Sequence, residues 1–182
     1  MPKKNYQRPD NRISLGELEL LLDNIEDSET RVALIIAYYT GARHQEILNL
    51  KRMDIQEDDS EETLNFKIRS LKRTDQHFRN IPIRRDKPYI NVVENWIKNI
   101  PLGQPVFTKY RQRMNYYFYK GLEKTDLPIS FHAFRHSVGS KLAHLGYRTH
   151  DIAQYLGHAN LNTTQHYIDA SPERLKNMSD AL

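Results

Sequence analysis

His132-Ala133-Phe134-Arg135-His136 stands in the last third of this chain, followed by Leu156-Gly157-His158 and, nine residues later, by Tyr167. Two imidazoles, a guanidinium and a phenol at these intervals suit an attack on a phosphodiester. A phosphodiester repels nucleophiles, and its transition state spreads charge over the non-bridging oxygens, which planar guanidinium groups meet with paired donors. Upstream, Thr40-Gly41-Ala42-Arg43-His44-Gln45-Glu46-Ile47-Leu48-Asn49-Leu50 supplies a second guanidinium, Arg43. Between the two, Lys72 lies in a β-prone stretch that closes with Asn80-Ile81-Pro82-Ile83.

Around these segments the periodicity is mostly helical. Ser14-Leu15-Gly16-Glu17 has the capping-box pattern, and Leu15, Leu18, Leu21 and Leu22 continue an amphipathic helix to Glu26. Residues 29–40 are apolar almost all round and predict a core helix, which Gly41 ends with positive φ. A short helix is expected over 43–50. Residues 63–70 alternate apolar and polar as a half-buried strand does, and 78–83 read as the return strand, with 72–77 in or beside the turn. Helices follow at 89–99 and 111–124, then at 131–145 capped by Ser130. One capped by Thr149 ends near Gly157, and a short helix surrounds Tyr167. The fold class is mainly α, formally α+β, with a small antiparallel sheet inserted near residues 63–83.

A chain of 182 residues with 38% apolar content can bury one full core. No apolar run approaches the ~20 residues that cross a bilayer. The start, Met1-Pro2-Lys3-Lys4-Asn5, lacks the apolar stretch of a secretion signal, so a cytoplasmic protein is expected. The absence of cysteine excludes disulfides, thiolate metal sites and a Cys nucleophile. Net charge is +4 and the sequence pI about 9.2, a modest cue for a polyanionic partner. Basic residues gather at 1–12, 67–87 and 109–120, whereas the acidic run Glu57-Asp58-Asp59-Ser60-Glu61-Glu62 reads as a solvated turn. His132 and His136 have zinc-compatible spacing, but Ala133 stands where the metalloprotease helix pattern needs Glu, and no metal is expected. No Walker loop is present, so ATP use is not expected either.

The ordered set from Arg43 to Tyr167 resembles the catalytic domain of the tyrosine recombinases, also called the phage-integrase family. The resemblance implies that Arg43 and Arg135 clamp the scissile phosphate and that Tyr167 is the nucleophile. Ionising a phenol at neutral pH costs about 4 kcal/mol, which nearby positive charge and a proton acceptor must offset. His132, one helical turn before Arg135, is carried over as an aid to proton transfer, and His158 as a hydrogen-bond donor to the phosphate. Lys72 is carried over as the general acid for the departing 5′-oxygen. Its distance to Ile81-Pro82-Ile83 exceeds the family's usual one, which leaves Arg73 and Lys67 as rivals. Glu46, one turn after Arg43, orients or neutralises that region. The helix with Lys109, Arg111, Arg113 and Lys120 interleaves cations with aromatics and is the candidate DNA-facing element.

These readings divide the chain into a basic arm (1–13), a catalytic domain (14–171) and a tail (172–182). The tail resembles the segment that family members pack onto a neighbouring protomer. Family members usually carry a separate DNA-grasping domain before the catalytic one, and this sequence starts about thirty residues before its first core helix. A compact member that works with the catalytic domain alone and a piece of a longer protein are equally open. For this chain by itself, weaker and strongly salt-sensitive DNA binding is expected. The implied activity is cutting and rejoining of duplex DNA in a four-protomer synapse through a Tyr167–3′-phosphate bond, with no metal or nucleotide cofactor. A prokaryotic, phage or plasmid source is implied. The rivals are a type IB topoisomerase-like relaxation activity and a non-catalytic DNA-binding factor on the same fold.

Overall fold

The first helix starts where the sequence sets its cap. The Ser14 side chain accepts from the Glu17 N–H at 3.2 Å, and the Glu17 carboxylate returns to the Ser14 N–H at 2.9 Å. The computed structural model describes residues 12–57, 62–71, 77–157 and 172–182, with the side chains of 172–175 outside that set. Lys72, Arg73, His158 and Tyr167 lie outside the described residues. So do the basic arm to residue 11, residues 58–61 of the acidic run and the helix expected around Tyr167.

In chain order the elements are α1 (Leu15–Asn24), α2 (Ser28–Thr40) and α3 (His44–Leu48), then a 3-10 turn at Arg52–Asp54. The sheet follows as β1 (Ile55–Glu57), β2 (Thr63–Arg69) and β3 (Phe78–Arg84). Next come α4 (Ile90–Ile97), α5 (Arg111–Thr125), α6 (Phe131–His144), α7 (Thr149–Leu156) and α8 (Pro172–Asp180). Helix α2 is the central strut. Its residues Val32 to Ala37 and Tyr39 are buried, and α1, α3, α4, α5 and α6 all pack against it. That burial on all sides is why its sequence is apolar nearly all round. Gly41 takes φ +59 at its end, as the reading expected.

The antiparallel sheet runs in the order β1-β2-β3. Register pairs Leu64 with Ile83, Phe66 with Ile81 and Ile68 with Arg79. The buried row on β3 is therefore Arg79, Ile81 and Ile83, so an arginine occupies a position that the alternation reserves for the core.

The structure departs from the sequence reading at several places. Strand β1 was not expected, because three residues are too short to show alternation; Ile55 pairs with Phe66. Thr149 lies inside α7 and Arg148 holds the cap position, its Nε bonded to Asp151 at 3.1 Å. Ser130 holds the cap position of α6 but makes no side-chain capping bond; its carbonyl oxygen accepts from the Ala133 N–H. Helix α3 stops at Leu48 because Leu50 is drawn into a bond with the Val106 N–H. The tail forms α8, which packs on β3 of its own chain with Met178 and Ser179 buried.

Candidate active site

Three segments far apart in sequence meet at the end of α7. Helix α6 places Arg135 on its buried face, where Nη1 donates to the carbonyl oxygens of Leu156 at 2.6 Å and Gly41 at 3.1 Å. Both acceptors end helices, where carbonyls lack intrahelical partners. Arg43 precedes α3, and its Nη1 donates to Glu46 Oε1 at 2.7 Å and to the Gly157 carbonyl at 3.3 Å. Glu46 is fully buried; its second oxygen accepts from Arg79 Nη2, also at 2.7 Å. Arg79 in turn donates from Nη1 to Ser70 Oγ at 3.2 Å.

The turn that leads into His158 is therefore held from several sides: Leu156 by Arg135, and Gly157 by Arg43 and Arg79. Gly157 has φ +68, and a Cβ there would lie 2.6 Å from Arg79 Nη1 and 2.7 Å from Ser70 Oγ. Gly41 is equally hemmed in, by Leu156 Cδ2 at 2.6 Å. Close approach as well as backbone conformation demands glycine at both positions.

Charge is concentrated here. Among the described residues, the guanidiniums of Arg43 and Arg79 both pair with Glu46, and Arg135 stands near them bonded only to backbone carbonyls. Burial, reinforced by Arg43 and Arg79, pushes Arg135 down to about 9. It remains charged at neutral pH. Burial raises the Glu46 carboxyl, but Arg79 and Arg43 outweigh it and hold the group below the usual carboxylate range. Arg135 Nη2 is buried and, among the described residues, has no hydrogen-bond partner. An uncommitted donor beside excess positive charge suits an incoming anion.

A cleft of about 380 Å³ opens over this cluster. Arg43, Arg135 and the exposed His132 line it on one side, and Arg111, Asn115 and Tyr119 of α5 on the other. Spacing by four residues places those three on one face of α5. His132 and His136 lie edge to face with ring centroids 4.7 Å apart. His44, which the sequence reading did not single out, also lines the cleft and stacks on Phe131 at 4.1 Å with an interplanar angle of 12°.

Among the sequence-predicted residues, Arg43, His132 and Arg135 come together. Lys72, His158 and Tyr167 lie outside the described residues, although Gly157 places the chain immediately before His158 at the cluster. The cations on and just before α5 divide. Arg111 lines the cleft, and among the described residues it pairs with no carboxylate. Arg113 sits over the Tyr117 ring. Lys109 is paired with Asp27 at 3.0 Å and Lys120 with Glu26 at 3.3 Å. Arg79 was missed, although the inward alternation Arg79-Ile81-Ile83 carried its signal. The carbonyl contacts of Leu156 and Gly157 left no trace in side-chain chemistry.

Residues 11–174 match the Phage integrase family. Tyrosine recombinase XerC 2 of Ralstonia nicotianae is 26% identical over 199 aligned positions, covering 100% of this chain and 55% of that protein. Tyrosine recombinase XerD of Listeria innocua is 26% identical over 190 positions, covering 91% of this chain and 60% of that protein. The chain thus spans little more than half the length of these curated relatives. Among solved structures, XerH site-specific recombinase bound to difH substrate in a pre-cleavage complex aligns with a TM-score of 0.65 at 19% identity, over 84% of this chain and 48% of that one. The integrase from mycobacterium phage Brujita aligns with a TM-score of 0.70 at 17% identity, over 100% of this chain and 60% of that one. These structures share the fold. Since the family match takes in nearly every element described above, from α1 to the start of α8, the chain belongs to the phage integrase family of tyrosine recombinases.

Proposed function

We propose that this chain is the catalytic domain of a site-specific DNA recombinase that cuts and rejoins strands through a 3′-phosphotyrosine bond. The observation that carries the reading is the convergence of Arg43, Arg135 and His132 on one cleft, with the α7 turn before His158 bonded to both guanidiniums. In the proposed step the Tyr167 oxygen bonds to phosphorus as its proton passes to His132. The phosphorus–O5′ bond breaks, and Lys72 protonates the departing oxygen. Arg43, Arg135 and His158 hold the non-bridging oxygens, where charge develops. The products are a 3′-phosphotyrosine and a free 5′-hydroxyl. Attack by the 5′-hydroxyl of another strand reverses the step and conserves the bond energy.

Duplex DNA is the proposed partner, in a four-protomer synapse, and the proposed setting is the cytoplasm of a prokaryote or a phage or plasmid replicon. Among the described residues no helix is long and apolar enough to cross a membrane. The test is a nicked suicide duplex drawn from a random-sequence pool, scored for a covalent adduct mapped by peptide mass. The expected result is an adduct on Tyr167, with Tyr167→Phe retaining DNA binding and losing capture. An adduct elsewhere, or relaxation of a plasmid lacking any selected site, overturns the reading.

A further inference from the structure

We propose that Arg79 is a positioning residue, joining β3, Glu46 and the last turn of α7 so that the Arg43 guanidinium and Gly157 are held in register. The inference rests on the recombinase reading and adds to it a residue outside the set that meets the phosphate.

Arg79 is 6% exposed and stands in the core-facing row of β3 with Ile81 and Ile83, opposite Ile68. A guanidinium there forfeits hydration that an isoleucine in the same place would not, so a stability role alone is a poor explanation. Its contacts point in three directions. Nη2 bonds Glu46 Oε2 at 2.7 Å while Arg43 bonds the opposite oxygen at the same distance, so the carboxylate is a rigid spacer between two guanidiniums. Nη1 bonds Ser70 Oγ, and the Ser70 N–H bonds the His77 carbonyl oxygen at 2.9 Å, closing β2 onto β3 on either side of the segment that contains Lys72. The same Nη1, with Cζ, fills the space where a Cβ on Gly157 would stand, 2.6 and 3.1 Å away.

The geometry of this junction matters because, among the described residues, Arg43 has few other restraints. Among the described residues its side-chain bonds both come from Nη1, one to Glu46 and a longer one to Gly157. Without Arg79, Glu46 is left with the bonds it receives from Arg43, through Nη1 and the backbone N–H. The Arg43–Glu46 pair then loses its tie to β3, and the α7 turn loses the guanidinium packed against Gly157. A misplacement of about 1 Å in a phosphate clamp costs on the order of 100-fold in rate while leaving ground-state binding nearly intact.

The experiment uses the full chain and a suicide duplex selected by wild-type capture, made with either a normal phosphate or a neutral methylphosphonate at the scissile position. The neutral group needs no cationic clamp, so a variant that misplaces the clamp is penalised on the phosphate alone. Arg79→Met is expected to slow adduct formation about 100-fold on phosphate and less than about fivefold on methylphosphonate, with DNA affinity within about threefold of wild type. Arg79→Lys, which keeps an ammonium against Glu46 but not the fork, is expected to recover part of the phosphate rate. Equal losses on both substrates, or none, overturn the inference. If Arg79→Met does not fold, the comparison passes to Arg79→Lys, where equal losses on the two substrates overturn it. A wild-type chain that captures no duplex overturns the recombinase reading and this inference with it; wild-type capture with parallel losses overturns this inference alone.

Discussion

Arg135 Nη1 lies 2.6 Å from the carbonyl oxygen of Leu156, binding the helix that carries His132 to the last helical residue before Gly157. One nitrogen of the fork thus fastens the scaffold, leaving Nη2 buried beside the cleft with no partner among the described residues. A lysine has one nitrogen where this position uses two. Arg135→Lys is expected to lower the rate of adduct formation by about 100- to 1,000-fold with DNA affinity changed only a few-fold, since in the proposed reaction the lost interaction belongs to the transition state. Single-turnover cleavage beside a binding titration checks the split.

Gly157 and Gly146 share positive φ, at +68 and +82, but differ in surroundings: Arg79 and Ser70 crowd the first, whereas nothing lies within 4 Å of the position a Cβ would take at the second. Gly146→Ala carries only the backbone penalty and should cost about 1 kcal/mol. Gly157→Ala adds displacement of a buried guanidinium and should cost at least about 2 kcal/mol, with a further loss of cleavage. Denaturant midpoints for the two variants measure the difference.

His44 links stability to pH. Burial, with a smaller push from Arg111, lowers it to about 4. Its unfolded value is near 6.5, so between about 4 and 6.5 the unfolded chain binds more protons and stability rises with pH. The contribution is fully present above 6.5 and is lost as pH falls toward 4, by up to about 3 kcal/mol. His44→Phe, which keeps a ring against Phe131, is expected to flatten the unfolding free energy across that window. An unchanged slope from chemical denaturation at pH 4.5, 5.5 and 6.5 refutes it.

The cations of α5 should differ in their contribution to DNA binding. Arg111 faces the cleft, whereas Lys120 is already paired with Glu26, which Lys124 also contacts at 3.0 Å. Arg111→Ala is expected to reduce the log–log salt slope of binding by about 1, and Lys120→Ala by clearly less. Equal slopes for the two variants would show that the face of α5 does not select its contacts.

The α5 result also shows where sequence reading stopped. Its pattern marked a cation-rich aromatic helix, and that was correct as composition. Which cations stayed available depended on Asp27, Glu29 and Glu26, brought over by the approach of α1 and the start of α2, distant in sequence. Strand β1 and α8 were missed for a related reason. Three residues show no period, and the face of α8 becomes apolar in context only once β3 lies beneath it.

Local order was legible throughout: the Ser14–Glu17 cap, the all-round apolar α2 ending at Gly41, and the alternation of β2 and β3 follow from chemistry within a few residues along the chain. Side-chain identity likewise marked Arg43, His132 and Arg135, because a guanidinium or imidazole keeps its chemistry wherever the fold carries it. Only the tertiary structure decided that Arg79 faces inward, that Glu46 is divided between two arginines, and that the carbonyls of Gly41, Leu156 and Gly157 receive them. Those contacts join backbone oxygens, which every residue possesses, to side chains dozens of positions away. They arise only when packed helices leave such groups without water and with a single geometry in which to bond.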